Sequence, residues 1–148
     1  MANRFITAVI LTSNDPERLA EFYRDVLEVP IELEDHGGVK HYGCELGELH
    51  FAIHPAPKGT RSGSGTVAFG LQVFNLDAFL KKLTSAGVNP LFPPGDRGFA
   101  KMTAINDPDG NMIYLTEMSD KWLQWIGERR SKEEFDIIQQ WNLAKLKS

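Results

Sequence analysis

The sequence of 148 residues has a single cysteine, no excess of positive charge and no long apolar run. Cys44 alone cannot form an internal disulfide or a cysteine-rich zinc site, and a solitary cysteine is more often a small buried hydrophobe than a nucleophile. A net charge of −4 at pH 7 argues against binding nucleic acid through its phosphates. The lack of a membrane-length or leader-like apolar segment predicts a globular, cytoplasmic protein with no membrane partner.

Hydrophobic residues make up 42% of the chain, which is enough to bury a core, and they fall into two similar series. In the first series, an apolar strand at 4–12 precedes a helix. Asn14 or Asp15 can cap this helix, and Pro16 suits its first position. Three strand candidates follow, at 31–35, 39–45 and 48–54.

The second series comes after residues 55–65, which are rich in Pro, Gly and Ser and which we interpret as a flexible linker. A strand at 66–73 precedes a helix that Asn75 can cap. Strand candidates again follow, at 88–92, 99–105 and 111–117. Two βαβββ modules, at 4–54 and 66–117, explain this repeat, because each would present a sheet face that it cannot cover alone.

Two motifs carry a resemblance to a known superfamily. Residues 14–27 read Asn-Asp-Pro-Glu-Arg-Leu-Ala-Glu-Phe-Tyr-Arg-Asp-Val-Leu, and residues 106–111 read Asn-Asp-Pro-Asp-Gly-Asn, a turn that leads into the strand of Tyr114. In this order the motifs resemble the vicinal oxygen chelate superfamily, which includes glyoxalase I, extradiol dioxygenases, fosfomycin-resistance enzymes and bleomycin-resistance proteins. Over residues 4 to 117, the resemblance implies an α+β fold whose two modules form a curved mixed sheet around a cavity, often in a homodimer.

The resemblance also implies a divalent metal held by His, Gln or Glu side chains on the first and last strands of the modules. Matching the halves residue by residue places these positions at Ala8, Phe51, Ala68 and Tyr114. Methyl groups and a phenyl ring offer no lone pair, and a phenol with a pKa of about 10 is a poor ligand for Mg²⁺, Mn²⁺ or Zn²⁺. We therefore predict a protein with no metal and no cofactor.

Histidine residues at other positions are weaker candidates for metal ligands. His50 and His54 share one face of a strand, but their Cα atoms would lie roughly 13 Å apart, too far to bind one ion readily. His36 and His41 could meet across a hairpin. A metal there would still need carboxylate ligands, for which the candidates are Glu34 and Glu45.

The remaining residues predict a small-molecule site with apolar and aromatic walls and a few polar groups. The predicted ligand-binding residues are Ile10, Phe51, Gln72, Lys101, Met112, Tyr114, Thr116 and Trp122. Among them, Lys101 offers a cation to an anionic ligand, and Trp122 lies close enough in sequence to act in a lid. The alternative interpretation is that Phe51 and Tyr114 simply fill the space that metal and substrate occupy in related proteins.

Three functions remain open. The leading hypothesis is metal-free binding of a hydrophobic or aromatic molecule, by sequestration as in bleomycin-resistance-type proteins. The second is a glyoxalase-like lyase or isomerase in which Glu117 or Tyr114 transfers a proton. The third is an interaction module: beyond a domain at 1–118, the segment 119–148 is predicted to be a helical extension whose three tryptophans dock on a sheet, a partner or the cavity mouth.

Overall fold

The computed structural model describes residues 6, 8–36, 38–46, 49–59, 67–98, 100–121, 124 and 128. Each half of the chain forms one strand, then a helix, then three more strands. The first half contains β1 (Ala8–Ser13), α1 (Pro16–Glu21) with a π-helical segment (Phe22–Val26), β2 (Glu32–His36), β3 (Val39–Leu46) and β4 (Leu49–Pro55). The second contains β5 (Ala68–Gln72), α2 (Leu76–Ser85), β6 (Gly95–Asp96), β7 (Ala100–Asn106) and β8 (Met112–Met118).

Each half makes one four-stranded mixed sheet. The strand order is β1-β4-β3-β2 in sheet 1 and β5-β8-β7-β6 in sheet 2. In both sheets the first and last strands of the half pair in parallel, and the remaining pairs are antiparallel. The predicted α+β architecture of two βαβββ modules is therefore confirmed.

Both helices begin where the sequence predicts. The side chain of Asp15 accepts a hydrogen bond from the backbone N–H of Arg18, and Pro16 takes the first position of α1. Asn75 accepts from the backbone N–H of Ala78 and caps α2 in the same way. These side chains satisfy N–H groups that have no partner within the helix. Within the described residues, no helix is long and apolar enough to cross a membrane.

The strand predicted at 88–92 is wrong, because the backbone there is irregular and β6 is a two-residue strand further along. Proline residues at 90, 93 and 94 lack the N–H group that a sheet ladder requires. Two hydrogen bonds tether this segment to β7 instead. The backbone N–H of Leu91 donates to the Ala104 carbonyl, and the Thr103 hydroxyl donates to the Phe92 carbonyl.

The helix-side face of each sheet supplies the core. Residues that pair on adjacent strands have their side chains on the same face of the sheet. Val9 and Phe51 therefore both point to the helix side in sheet 1, as Phe69 and Ile113 do in sheet 2. One continuous cluster contains residues from both halves. Its fully buried members include Leu19, Tyr23, Ile53, Leu76, Leu83, Ile113 and Leu115.

The structure corrects the predicted placement of Phe51, which lies in this core and not on a ligand-binding face. Its side chain is only 2% exposed, and its ring centroid lies 5.1 Å from that of Tyr23 and 5.7 Å from that of Phe69. These contacts join the π-helical segment, sheet 1 and sheet 2. Phe51 therefore connects the two modules.

The cause of the misplacement is a shift of one residue between the halves. Ile10 pairs with Ala52 in sheet 1, and Gly70 pairs with Tyr114 in sheet 2. Ala52, and not Phe51, is thus the counterpart of Tyr114. A shift of one residue moves a side chain to the opposite face of a strand.

A buried hydrogen bond also joins the two motifs singled out in the sequence. The Tyr23 hydroxyl donates to Oδ2 of Asp107 over 2.8 Å, and Nδ2 of Asn111 donates to the same oxygen over 2.7 Å. Oδ1 of Asp107 accepts from the backbone N–H groups of Asp109 and Asn111. Burial and the neighbouring Asp107 carboxylate raise the pKa of Tyr23 far above its ordinary value, so the hydroxyl keeps its proton.

Candidate functional site

The open face of each sheet is the side turned away from the helix-side core. On strands β1 and β4 of sheet 1 and strands β5 and β8 of sheet 2 it carries Ala8, Ile10, Thr12, His50, Ala52, His54, Ala68, Gly70, Gln72, Met112, Tyr114 and Thr116. Ile10, on edge strand β1, is a large aliphatic side chain that is 53% exposed. The open face therefore offers apolar surface that the described residues do not cover.

Tyr114 is the aromatic side chain at the centre of the open face of sheet 2. It is half-buried, lies between Met112 and Thr116 along β8, and pairs with Gly70 on β5. A Cβ atom on Gly70 would make only ordinary contacts, 3.8 Å from the Tyr114 carbonyl oxygen and 3.9 Å from its Cβ. Since glycine has no side chain, β5 places no side chain beside Tyr114 at this position.

Two polar members of the predicted set also lie on this face, and both bond to the backbone. The Gln72 amide nitrogen donates to the Val73 carbonyl, and its oxygen accepts from the N–H of Met118. The Thr116 hydroxyl donates to the Leu71 carbonyl. These bonds hold the two side chains in place at one end of the open face.

Lys101 lies on the other side of sheet 2, and this corrects its predicted position beside the ligand. In register it pairs with Glu117, on the helix side, and its Nζ donates to Oδ2 of Asp77 over 2.6 Å. That hydrogen bond raises the pKa of Lys101. Trp122, the last of the predicted residues, lies outside the described residues.

Glu117 has a structural partner that the sequence did not reveal. Its Oε2 accepts a hydrogen bond of 2.8 Å from the backbone N–H of Leu76, the first residue of α2. A carboxylate at the N-terminus of a helix is stabilised by the unpaired N–H groups and the helix dipole. Glu117 therefore acts as a cap for α2, which gives no support to its predicted role in proton transfer.

We expect Glu117→Ala to lower the free energy of unfolding by about 1 kcal/mol, the usual cost of losing a capping side chain. Urea unfolding followed by circular dichroism measures the difference. The matched control is Glu21→Ala, which removes an exposed carboxylate from α1. Equal losses in the two variants would contradict the capping role.

The remaining candidates for metal binding or nucleophilic chemistry are histidines and Cys44, which lie in sheet 1. His41, His50 and His54 share the open face of sheet 1, on neighbouring strands β3 and β4. Within the part of the chain that the structure describes, no group of three or more His, Cys, Asp or Glu side chains is placed to hold a metal ion. Burial raises the pKa of the Cys44 thiol, which disfavours the reactive thiolate.

Two shallow depressions lie away from the open faces. The first, of about 610 Å³, is on the outside of α2. The second, of about 320 Å³, lies where β6, β7 and the end of β8 meet, and Lys101 and Glu117 are among its lining residues. Neither contains Ile10 or Tyr114. Both depressions are therefore separate from the exposed surface around Ile10.

The comparisons with known proteins agree with this architecture. The sequence profile of the Glyoxalase/Bleomycin resistance protein/Dioxygenase superfamily matches residues 5–115. No curated protein matches the sequence.

Several solved structures share the fold. A virulence protein from Salmonella typhimurium is 21% identical, with a TM-score of 0.62 over 80% of this chain and 100% of the other. The antibiotic binding protein TnmS3 from Streptomyces is 20% identical, with a TM-score of 0.61 over 80% and 99%. A superfamily member from Sphaerobacter thermophilus is 22% identical, with a TM-score of 0.59 over 77% and 97%.

Proposed function

Because the chain belongs to the Glyoxalase/Bleomycin resistance protein/Dioxygenase superfamily, we propose that it binds a hydrophobic or aromatic small molecule on its open faces, without a metal. The observation that carries the proposal is the half-buried Tyr114, whose partner on β5, Gly70, has no side chain. An aromatic ring whose neighbour in the sheet has no side chain suits a flat apolar ligand, because stacking and burial both contribute to affinity. TnmS3, which shares the fold, is described as an antibiotic binding protein.

The side chains present do not fit the divalent metal that the superfamily resemblance implies. With the register corrected, the positions at which the resemblance predicts metal-binding side chains are Ala8, Ala52, Ala68 and Tyr114. Three methyl groups cannot donate a lone pair, and a phenol is a weak ligand unless it loses its proton. The function we propose therefore uses apolar contact at these positions instead of metal coordination.

We further propose that a second copy of the chain covers the open faces in a homodimer. Small-molecule sites usually bury most of the ligand surface, whereas Ile10 in the single chain is 53% exposed. A second copy would supply the missing wall and remove this apolar surface from water. Light scattering coupled to size exclusion would show twice the monomer mass, and a monomer at micromolar concentration would contradict the proposal.

Ligand binding can be tested with a panel of planar aromatic compounds by thermal shift, followed by calorimetry on those that stabilise the protein. We expect Tyr114→Ala to weaken binding of such a compound at least tenfold, since it removes the ring that the ligand would contact. The control is Phe74→Ala, which removes a ring that is 92% exposed on the connection between β5 and α2. Equal affinities in wild type and Tyr114→Ala would overturn the assignment of the site.

Metal content is measured separately. Protein purified without chelator should contain no stoichiometric divalent metal by mass spectrometry, and dialysis against EDTA should leave ligand affinity unchanged. Tightly held metal at one ion per chain, or loss of binding after EDTA, would contradict the metal-free function.

A further inference from the structure

The open face of sheet 2 carries no charged side chain among the strand residues that the structure describes. Strands β5, β6, β7 and β8 place on this face only glycine, alanine and methionine, together with four polar side chains. The polar four are Gln72, Asn106, Tyr114 and Thr116. A charged ligand group buried here would find no opposite charge on this face, and burying an unpaired charge is costly. The part of a ligand that contacts this face should therefore be uncharged.

Tyr114 lies in register between two of the smallest side chains that a strand can carry. Its partner on β5 is Gly70, and its partner on β7 is Ala104. Neither partner has a polar atom in its side chain. Within the described part of the chain, the Tyr114 hydroxyl makes no hydrogen bond. This hydroxyl is therefore available to a ligand.

The other polar side chains of the face are less suited to contact a ligand. The Thr116 hydroxyl has a single hydrogen, which it donates to the Leu71 carbonyl. Both ends of the Gln72 amide bond to the backbone, at Val73 and Met118. Asn106 is exposed at the last position of β7. Tyr114 is thus the hydrogen-bond donor nearest to the centre of the face.

The Tyr114 hydroxyl needs an acceptor once water is removed from it. In the single chain the residue is half-buried, so water can accept its hydrogen bond. A ligand stacked on the ring, under the second copy proposed to cover the face, would exclude that water. A donor buried without an acceptor carries a desolvation cost. A ketone oxygen in the ligand would accept the bond, and it brings no hydrogen that needs a partner in turn.

We infer that the site recognises uncharged planar aromatic ketones, with the Tyr114 hydroxyl donating a hydrogen bond to the ketone oxygen. This inference rests on the proposed function and names the class of ligand. The ring of Tyr114 offers stacking to any flat aromatic compound, whereas its hydroxyl distinguishes a ketone from the matching hydrocarbon. A binding site discriminates strongly when the wrong ligand leaves one of its polar groups unpaired.

Two probes with the same three-ring skeleton test the hydrogen bond: 9-fluorenone, which has a ketone, and fluorene, which has a methylene group in its place. Their dissociation constants are measured by equilibrium dialysis in the wild type and in Tyr114→Phe. The ratio of the fluorene constant to the fluorenone constant should be about tenfold lower in Tyr114→Phe, as expected for the loss of one hydrogen bond. Comparing ratios cancels the difference in hydrophobicity between the two probes. An unchanged ratio would overturn the inference.

The matched control is Tyr42→Phe, which makes the same chemical change on the helix side of sheet 1, where Tyr42 pairs with Ile53. Its ratio should equal that of the wild type. If Tyr42→Phe lowers the ratio as much as Tyr114→Phe does, the discrimination does not come from Tyr114 and the inference is wrong.

A third probe tests the preference for an uncharged ligand. We expect 9-fluorenone-2-carboxylate to bind the wild type at least tenfold more weakly than 9-fluorenone, because the face offers no cation to its carboxylate. Equal or tighter binding of the acid would contradict the preference.

Failure of the inference and failure of the proposed function give different results. If neither 9-fluorenone nor fluorene binds the wild type, the proposed function fails and the inference fails with it. If both bind, and Tyr114→Ala weakens both while Tyr114→Phe leaves their ratio unchanged, the ligand site stands and the hydrogen bond to the ketone is refuted.

Discussion

Phe51→Ala should lower the free energy of unfolding by about 3–5 kcal/mol, the usual cost of truncating a fully buried aromatic residue. The ring is 2% exposed and contacts Tyr23 from the π-helical segment and Phe69 from sheet 2. Its removal would leave a cavity where the two modules meet. Denaturant unfolding at equilibrium, monitored by tryptophan fluorescence, gives the difference.

Ile10→Ala is the matched comparison, because the two residues lie on the paired strands β1 and β4 of sheet 1 but on opposite faces. With Ile10 53% exposed in the single chain, we expect a loss below about 1 kcal/mol at concentrations where the protein is monomeric. A large loss of unfolding free energy for Ile10→Ala together with a small loss for Phe51→Ala would mean that the two faces of sheet 1 are assigned the wrong way round, which would refute the strand register.

Asp107→Ala should cost about 3 kcal/mol or more. The carboxylate accepts four hydrogen bonds, from the Tyr23 hydroxyl, the Asn111 amide and two backbone N–H groups of its own turn. Alanine leaves these donors buried without an acceptor, and each unsatisfied group carries a desolvation cost. Unfolding in urea, with the slope compared between variant and wild type, measures the loss.

Tyr23→Phe separates the two parts of this interaction. It removes only the bond between modules and leaves the turn intact, so we expect a loss of about 1–2 kcal/mol. If Tyr23→Phe costs as much as Asp107→Ala, the turn itself contributes little and our account of Asp107 is wrong.

Local rules were enough to predict most of the fold. Asp15, Pro16 and Asn75 occupy the helix positions that their chemistry favours, and the two-module order follows from a repeat of apolar segments. The turn at 107–110 was predicted from Asp-Pro-Asp-Gly, and Gly110 there adopts a φ of 83°. These features depend on neighbours within a few residues, which a sequence displays directly.

It was harder to predict which side of its sheet each side chain faces. Matching Phe51 with Tyr114 rested on similarity of residue type, yet the register shows that Ala52 is the counterpart of Tyr114. Along β4, Leu49, Phe51 and Ile53 alternate with His50, Ala52 and His54, which favours burial of the first set, but matching by residue type overrode this pattern. Ile10 and Gln72, by contrast, lie on the open face as predicted.

Partners distant in sequence gave no local signal. Glu117 caps a helix that begins 41 residues earlier, and Lys101 pairs with Asp77 across 24 residues. Neither pairing could be inferred from spacing alone. The sequence showed Glu34, His41 and His50 only as separate candidates. The distances between their side chains depend on three strands, so the sequence could not show that they lie close together.

The bond between Tyr23 and Asp107 has a kinetic consequence. It spans 84 residues and joins modules that each contain their own sheet, so we expect it to form late in folding. Closing a chain segment twice as long costs only about 0.6 kcal/mol more, so distance along the chain adds little to the barrier. A contact made after the folding transition state slows unfolding and leaves the folding rate nearly unchanged. We therefore expect this bond to lengthen the lifetime of the native protein.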